Sequence, residues 1–115
     1  MLTLYGLKAC DTCRKARQDI EKDGITVEFV DVRETPLTTE QIAAFAREFG
    51  ERLVNRRSTT WRDLSESERQ LTETELIARY PTVMKRPVIA GGTQPTLGWD
   101  KAARAAHLGT EGETT

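Results

Sequence analysis

Cys10 and Cys13 are the only cysteines in the sequence, and only Asp11 and Thr12 separate them, in the stretch Leu2–Ala16, LTLYGLKACDTCRKA. Leu2-Thr3-Leu4-Tyr5 alternates apolar and polar, which predicts a strand, and Gly6 ends the run. Arg14 to Gln18 are fair helix formers. The cysteine pair therefore falls where a strand gives way to a helix. The first turn of a helix has backbone N–H groups without partners and carries partial positive charge. A thiolate placed there is stabilised over its thiol, which otherwise ionises near pH ~8.5. Cys10 stands at that end, and the N–H groups of Asp11, Thr12 and Cys13 point the same way, as the start of an anion nest. Cys13, one turn later on the same face, is within reach to attack a mixed disulfide on Cys10. Asp11 opposes ionisation of Cys10, and Lys8 and Arg14 oppose Asp11.

Two blander chemistries stand beside this one. The pair could be small hydrophobes in a core. It could be half of a zinc site, but a closed site needs four ligands, and the chain offers only these cysteines and His107 before carboxylates must be drawn in. A C-x-x-C beside a strand-to-helix pattern favours redox chemistry, with no bound metal or cofactor.

The elements that must hold the pair follow from periodicity. A first helix is expected from about Thr12 to Asp23, with Cys13, Ala16 and Ile20 inward and Gly24 as its stop. Ile25 to Val32 alternates, is rich in β-branched residues, and reads as the clearest strand in the chain. Thr38-Thr39-Glu40-Gln41 resembles a capping box before a helix with Ile42, Phe45, Ala46 and Phe49 inward, closed by Gly50. From Arg52 to Leu64 the pattern is weak: a helical turn, a polar loop, and another turn from Trp61. Ser65 with Glu68, and Thr72 with Glu75, are further capping boxes, the second opening a helix that Pro81 stops. Val83 to Ala90 reads as strand, Gly91-Gly92 as a tight hairpin turn, and Pro95 to Trp99 as the returning edge strand. Asp100 caps a last helix through Ala102, Ala103, Ala106 and Leu108.

The order β-α-β, helices, β-β-α with a C-x-x-C at the first helix is the thioredoxin-like arrangement, an α/β fold with a mixed sheet. It predicts one domain over residues 1–108, a helical insertion over about 37–80, and a frayed tail at 109–115. Pro87, opening the third core strand, stands where a cis peptide bond facing the cysteine is usual. With 17 basic and 18 acidic residues the net charge is −1, which gives no electrostatic case for nucleic acid. No leader or long apolar run appears, so no membrane association is expected, and the chain reads as a cytoplasmic monomer. In a reducing cytosol a close cysteine pair points to transient chemistry rather than a permanent clamp.

LTLYGLKACDTCRKAR, then Asn55-Arg56-Arg57-Ser58-Thr59-Thr60-Trp61-Arg62-Asp63-Leu64, then Lys85-Arg86-Pro87-Val88-Ile89, in that order and spacing, resemble the ArsC/Spx family, and most of all its YffB-like branch of glutathione-dependent thiol reductases. The resemblance spans roughly Met1 to Leu108. It implies a thiol-dependent reductase, arsenate reductase-like, with Cys10 as nucleophile, Arg57 and Arg86 as anion-binding arginines, and Pro87 as the cis-proline. Arg56 is the alternative to Arg57 by one position. It implies a small thiol or oxyanion substrate, glutathione as reducing co-substrate, and glutaredoxin as a further thiol partner. Two departures stand out. Family arsenate reductases look to use a third arginine near the C-terminus, where this chain reads Thr96-Leu97-Gly98-Trp99-Asp100. Many YffB-like reductases have an apolar residue in place of Cys13. The cysteine pair is similar instead to Spx, and implies as the alternative a redox-sensing regulator that binds RNA polymerase. Trp61 and Trp99 read as packing residues, and His107 as a favourable cation near a helix C-terminus.

Overall fold

The computed structural model describes residues 1–92 and 94–108; the tail expected to fray, 109–115, lies outside them. The chain forms two compact units: Met1–Asp31 with the chain from Arg86 onward, and Val32–Lys85.

The first unit holds the whole four-stranded sheet. β1 (Leu2–Gly6) and β2 (Val27–Asp31) run parallel, with Leu2 opposite Val27 and Gly6 opposite Asp31. β3 (Val88–Ala90) pairs antiparallel to β1, and β4 (Thr96–Leu97) antiparallel to β3, giving the order β2-β1-β3-β4. Two parallel strands need a crossover, and α1 (Asp11–Lys22) supplies it. Its Cys13, Ala16 and Ile20 recur at helical spacing and are buried with Leu2, Leu4, Val27 and Ile89. Each large apolar side chain among them, fully removed from water, contributes roughly 1.5–3 kcal/mol. Gly24 follows with φ +82, the left-handed conformation that stops a helix without cost to a residue lacking Cβ.

The last helix of this unit is α5 (Lys101–His107), capped by Asp100, whose carboxylate accepts from the Ala103 N–H at 2.9 Å. Ala103, His107 and Leu108 are buried, whereas Ala102 and Ala106 face solvent. His107 is therefore not a surface cation. Its Nε2 lies 2.8 Å from Thr96 Oγ1, and burial holds its pKa below the ordinary value.

The strands after Lys85 are shorter than their composition suggests. Val83 belongs to a 3-10 turn over Pro81–Val83, and Met84 makes only an isolated bridge to Val54, so β3 begins after Pro87. Nor is Gly91-Gly92 the whole hairpin turn, since the link runs from Ala90 to Thr96.

The second unit is helical: α2 (Thr39–Phe49), α3 (Thr59–Arg62) and α4 (Glu73–Arg79), joined by 3-10 turns at Gly50–Leu53, Glu68–Gln70 and Pro81–Val83. Capping boxes Thr38/Gln41 and Thr72/Glu75 are complete, each side chain satisfying the other's backbone N–H. Ser65 and Glu68 pair in the same reciprocal way ahead of the second 3-10 turn. α3 starts earlier than expected, because Ser58 rather than Trp61 opens it, accepting from the Trp61 N–H at 3.1 Å. Ile42, Phe45 and Phe49 of α2 are buried, as are Leu76 and Ile77 of α4.

Candidate active site

Cys10 is the N-cap of α1, with extended backbone (φ −86, ψ 119), and its carbonyl accepts the first helical bond from Arg14 N at 3.1 Å. The loop before it is held at both ends. Cys10 N donates to Leu7 O at 3.1 Å, and Lys8 N donates to the buried Asp31 carboxylate at 2.9 Å. Cys10 is partly exposed, while Cys13 is fully buried; both are free thiols.

The two sulfurs ionise very differently. Partial burial pushes the Cys10 thiol up. The Cys13 backbone N–H, the Cys13 thiol and the Arg86 guanidinium, all hydrogen-bonded to it, outweigh that burial and bring it below the ordinary value. Burial pushes Cys13 up to about 12, with the neighbouring Cys10 sulfur acting in the same direction and the Leu7 N–H against it. Cys10 is thus the more readily ionised of the pair, and Cys13 stays protonated as its hydrogen-bond donor. A thiolate is the nucleophilic form of cysteine.

Gly6 makes room for this arrangement. A Cβ at that position would lie 2.4 Å from Cys13 Sγ. The strand must therefore end in glycine for the helix to bring its second cysteine this close.

The other residues expected at the site divide between the two units. Arg86, partly buried, is beside Cys10, and the Arg86–Pro87 peptide is cis, as expected of Pro87. Asp11 and Thr12 are exposed in the first turn of α1, and the Asp11 carboxylate is engaged by Arg14. Arg57 lies in the second unit, where its backbone N–H donates to Asn55 Oδ1 at 3.0 Å. With Arg52, Arg56 and Lys85 it lines an open depression of about 490 Å³. Arg56 is turned onto the Trp61 ring, 5.5 Å from its centroid, so Arg57 is the less engaged of the two candidates.

Sequence reasoning missed two supporting carboxylates. Asp31 was legible, since strict alternation places it on the same face of β2 as Val27 and Phe29. Asp19 was not, because its partners come from the far end of the chain. Trp99 Nε1 donates to its Oδ2 at 2.9 Å, Arg104 Nη1 at 2.8 Å, and Lys15 Nζ lies 3.1 Å from Oδ1. Arg104, the arginine beyond the segment that lacks one, is thus tied to α1 by this carboxylate.

A βαβ unit continued by a β-hairpin and a helix, with a cysteine at the N-cap of the first helix and a cis-proline ahead of the third strand, defines a thioredoxin-like fold. Comparison with known proteins narrows it: the family model described as "ArsC family" matches residues 5–106, and the chain belongs to the ArsC family. A solved YffB protein superposes with a TM-score of 0.85 at 34% identity, covering 94% of this chain and 99% of that one. A solution structure of an arsenate reductase (ArsC) related protein from Brucella melitensis gives 0.71 at 34% identity, over 90% and 92% of the two chains. An uncharacterized protein of Haemophilus influenzae is 34% identical over 88% of this chain and 93% of its own length. The global transcriptional regulator Spx of Streptococcus agalactiae is 28% identical over 94% and 83%. Among the described residues no helix is long and apolar enough to cross a membrane.

Proposed function

We propose that this protein is a cytoplasmic, thiol-dependent reductase in which Cys10 attacks a disulfide or oxyanion substrate and glutathione, or a glutaredoxin, restores it. The observation that carries the reading is the partly exposed Cys10 sulfur at the positive end of α1, hydrogen-bonded by Cys13 and Arg86, which favour its ionised form. For a disulfide, the thiolate bonds to one sulfur, the S–S bond breaks and a thiolate leaves; a second thiol then displaces Cys10. Arg86 and the N–H groups of the first turn would stabilise the negative charge of an oxyanion substrate or the leaving group. Cys13 serves either as the hydrogen-bond donor to Cys10 or, once Cys10 carries an adduct, as its resolving thiol. The test is glutathione-dependent reduction of small disulfides and of arsenate by wild type and Cys10→Ser. Activity falls to background in the variant; undiminished activity removes Cys10 from the mechanism.

A second reading is favoured by the cysteine pair itself together with the similarity to Spx: a redox-sensing regulator whose polymerase-binding surface responds to a Cys10–Cys13 disulfide. Pull-down of the carboxy-terminal domain of the RNA polymerase α polypeptide, with and without oxidant, separates the two. Absence of binding in both states leaves the reductase.

A further inference from the structure

We propose that the depression lined by Lys8, Arg14, Arg17 and Phe29 is a subsite for the carboxylate-bearing part of the thiol exchanged at Cys10. The proposal rests on the reading of Cys10 as nucleophile and adds where its partner is held.

The depression is about 390 Å³, enough for a small peptide-like or aromatic acid. It belongs to the same unit as Cys10 and adjoins it along the chain. Lys8 stands two residues before the cysteine, on the loop that Asp31 fixes, and Arg14 stands one turn after it. Phe29 of β2 adds an aromatic surface, and the Arg17 guanidinium lies 5.6 Å from its ring centroid. Two guanidiniums and one ring in one hollow match a ligand with a negative group on an apolar stem, because a guanidinium forks onto a carboxylate while the stem lies on the ring. The two arginines already face carboxylates: Asp11, engaged by Arg14, and Glu21, whose Oε2 is 3.5 Å from Arg17 Nε. Their side chains are 90% and 48% exposed, so these pairs are solvated and weak, and the arginines can turn to a ligand at little cost.

In the exchange, the Cys10 thiolate attacks one sulfur of an acidic disulfide RS–SR. The Cys10–S–SR bond forms, the original S–S bond breaks, and RS⁻ departs carrying its carboxylate. A second thiolate R′S⁻ then attacks the adduct sulfur, forming RS–SR′ and returning Cys10 as a thiolate. The depression would hold the carboxylate of the R group bonded to Cys10.

The experiment is the stoichiometric reaction of the reduced, full-length chain with two disulfides, the dianionic dithiobis(nitrobenzoate) and the neutral dithiodipyridine. Arg17→Gln and the double variant Arg14→Gln/Arg17→Gln change exposed side chains, and circular dichroism confirms that they fold. The ratio of the two rates cancels any change in the Cys10 thiolate fraction. We expect this ratio to fall about two- to five-fold for each cation removed. In wild type it should fall toward the variant value in about 0.5 M NaCl. An unchanged ratio in the double variant overturns the subsite. Equal labelling of wild type and Cys10→Ser overturns instead the nucleophile reading beneath it.

Discussion

Replacing Gly6 by alanine tests the geometry that brings the two sulfurs together. In a strand, alanine in place of glycine ordinarily stabilises by roughly 0.5–1 kcal/mol, and Gly6 does not adopt the left-handed conformation that would forbid a side chain. Here the added methyl would lie 2.4 Å from Cys13 Sγ, 3.2 Å from Cys13 Cβ and 3.3 Å from Leu4 Cδ2. The sulfur is fully buried and cannot yield outward. Overpacking of this kind costs about 1–3 kcal/mol, which in a chain this size is about 3–5 °C of Tm per kcal/mol. Cys13→Ala alone should cost about 1 kcal/mol, one methylene-sized group and a small cavity. In the double variant the 2.4 Å collision is gone and only the two tight contacts remain, so the methyl should cost little. The coupling should therefore be about 1–2 kcal/mol in favour of the pair. Urea denaturation of the four proteins measures it. A Gly6→Ala variant as stable as wild type, or one that Cys13→Ala does not relieve, refutes the close approach on which the thiolate argument depends.

Two further outcomes follow from the charges. Arg86→Gln removes a cation that favours ionised Cys10, so the pH profile of Cys10 alkylation by iodoacetamide should move to higher pH, slowing reaction at neutral pH while leaving the alkaline plateau unchanged. A superimposable profile would remove Arg86 from the site. Partial burial pushes the Asp19 carboxyl up, but Trp99, Lys15 and Arg104 outweigh it and hold it below the usual 3.8. A depressed carboxyl stabilises fully above its unfolded value and loses that contribution as pH falls through its folded one. Asp19→Asn should thus be about 1–3 kcal/mol less stable than wild type at neutral pH, with the gap closing below pH 3.8. A gap independent of pH would mean that its charge has no part in it.

The βαβ opening, the inward face of α1 and the capping boxes at Thr38 and Thr72 were legible in the sequence, because each rests on neighbours a few positions apart. The nearness of Arg86 to Cys10 came from likeness to a family, and the cis-proline from its place ahead of the third strand as well as from that likeness. Local pattern failed where distant contacts decide. Val83 and Met84 have strand composition, yet their chain runs through a 3-10 turn and a lone bridge to Val54. His107 reads as a surface cation until α5 buries it against Thr96. Gly6 reads as punctuation, and only the fold reveals a sulfur against its α-carbon. Asp11, adjacent in sequence, reads as a charge that opposes Cys10 and is itself opposed by Arg14; Arg14 does engage its carboxylate, and the groups acting on the sulfur are Cys13 and Arg86.

The central strand pair joins opposite ends of the chain, Thr3 with Ala90 and Leu4 with Ile89. During synthesis the cysteine-bearing βαβ segment leaves the ribosome long before Val88–Ala90 does. Until then one edge of β1 has no neighbour, and Arg86 is not yet there to favour ionised Cys10. The nascent chain therefore lacks the Arg86 contribution to the Cys10 sulfur, which joins those of the Cys13 N–H and thiol only when the last strands close the sheet.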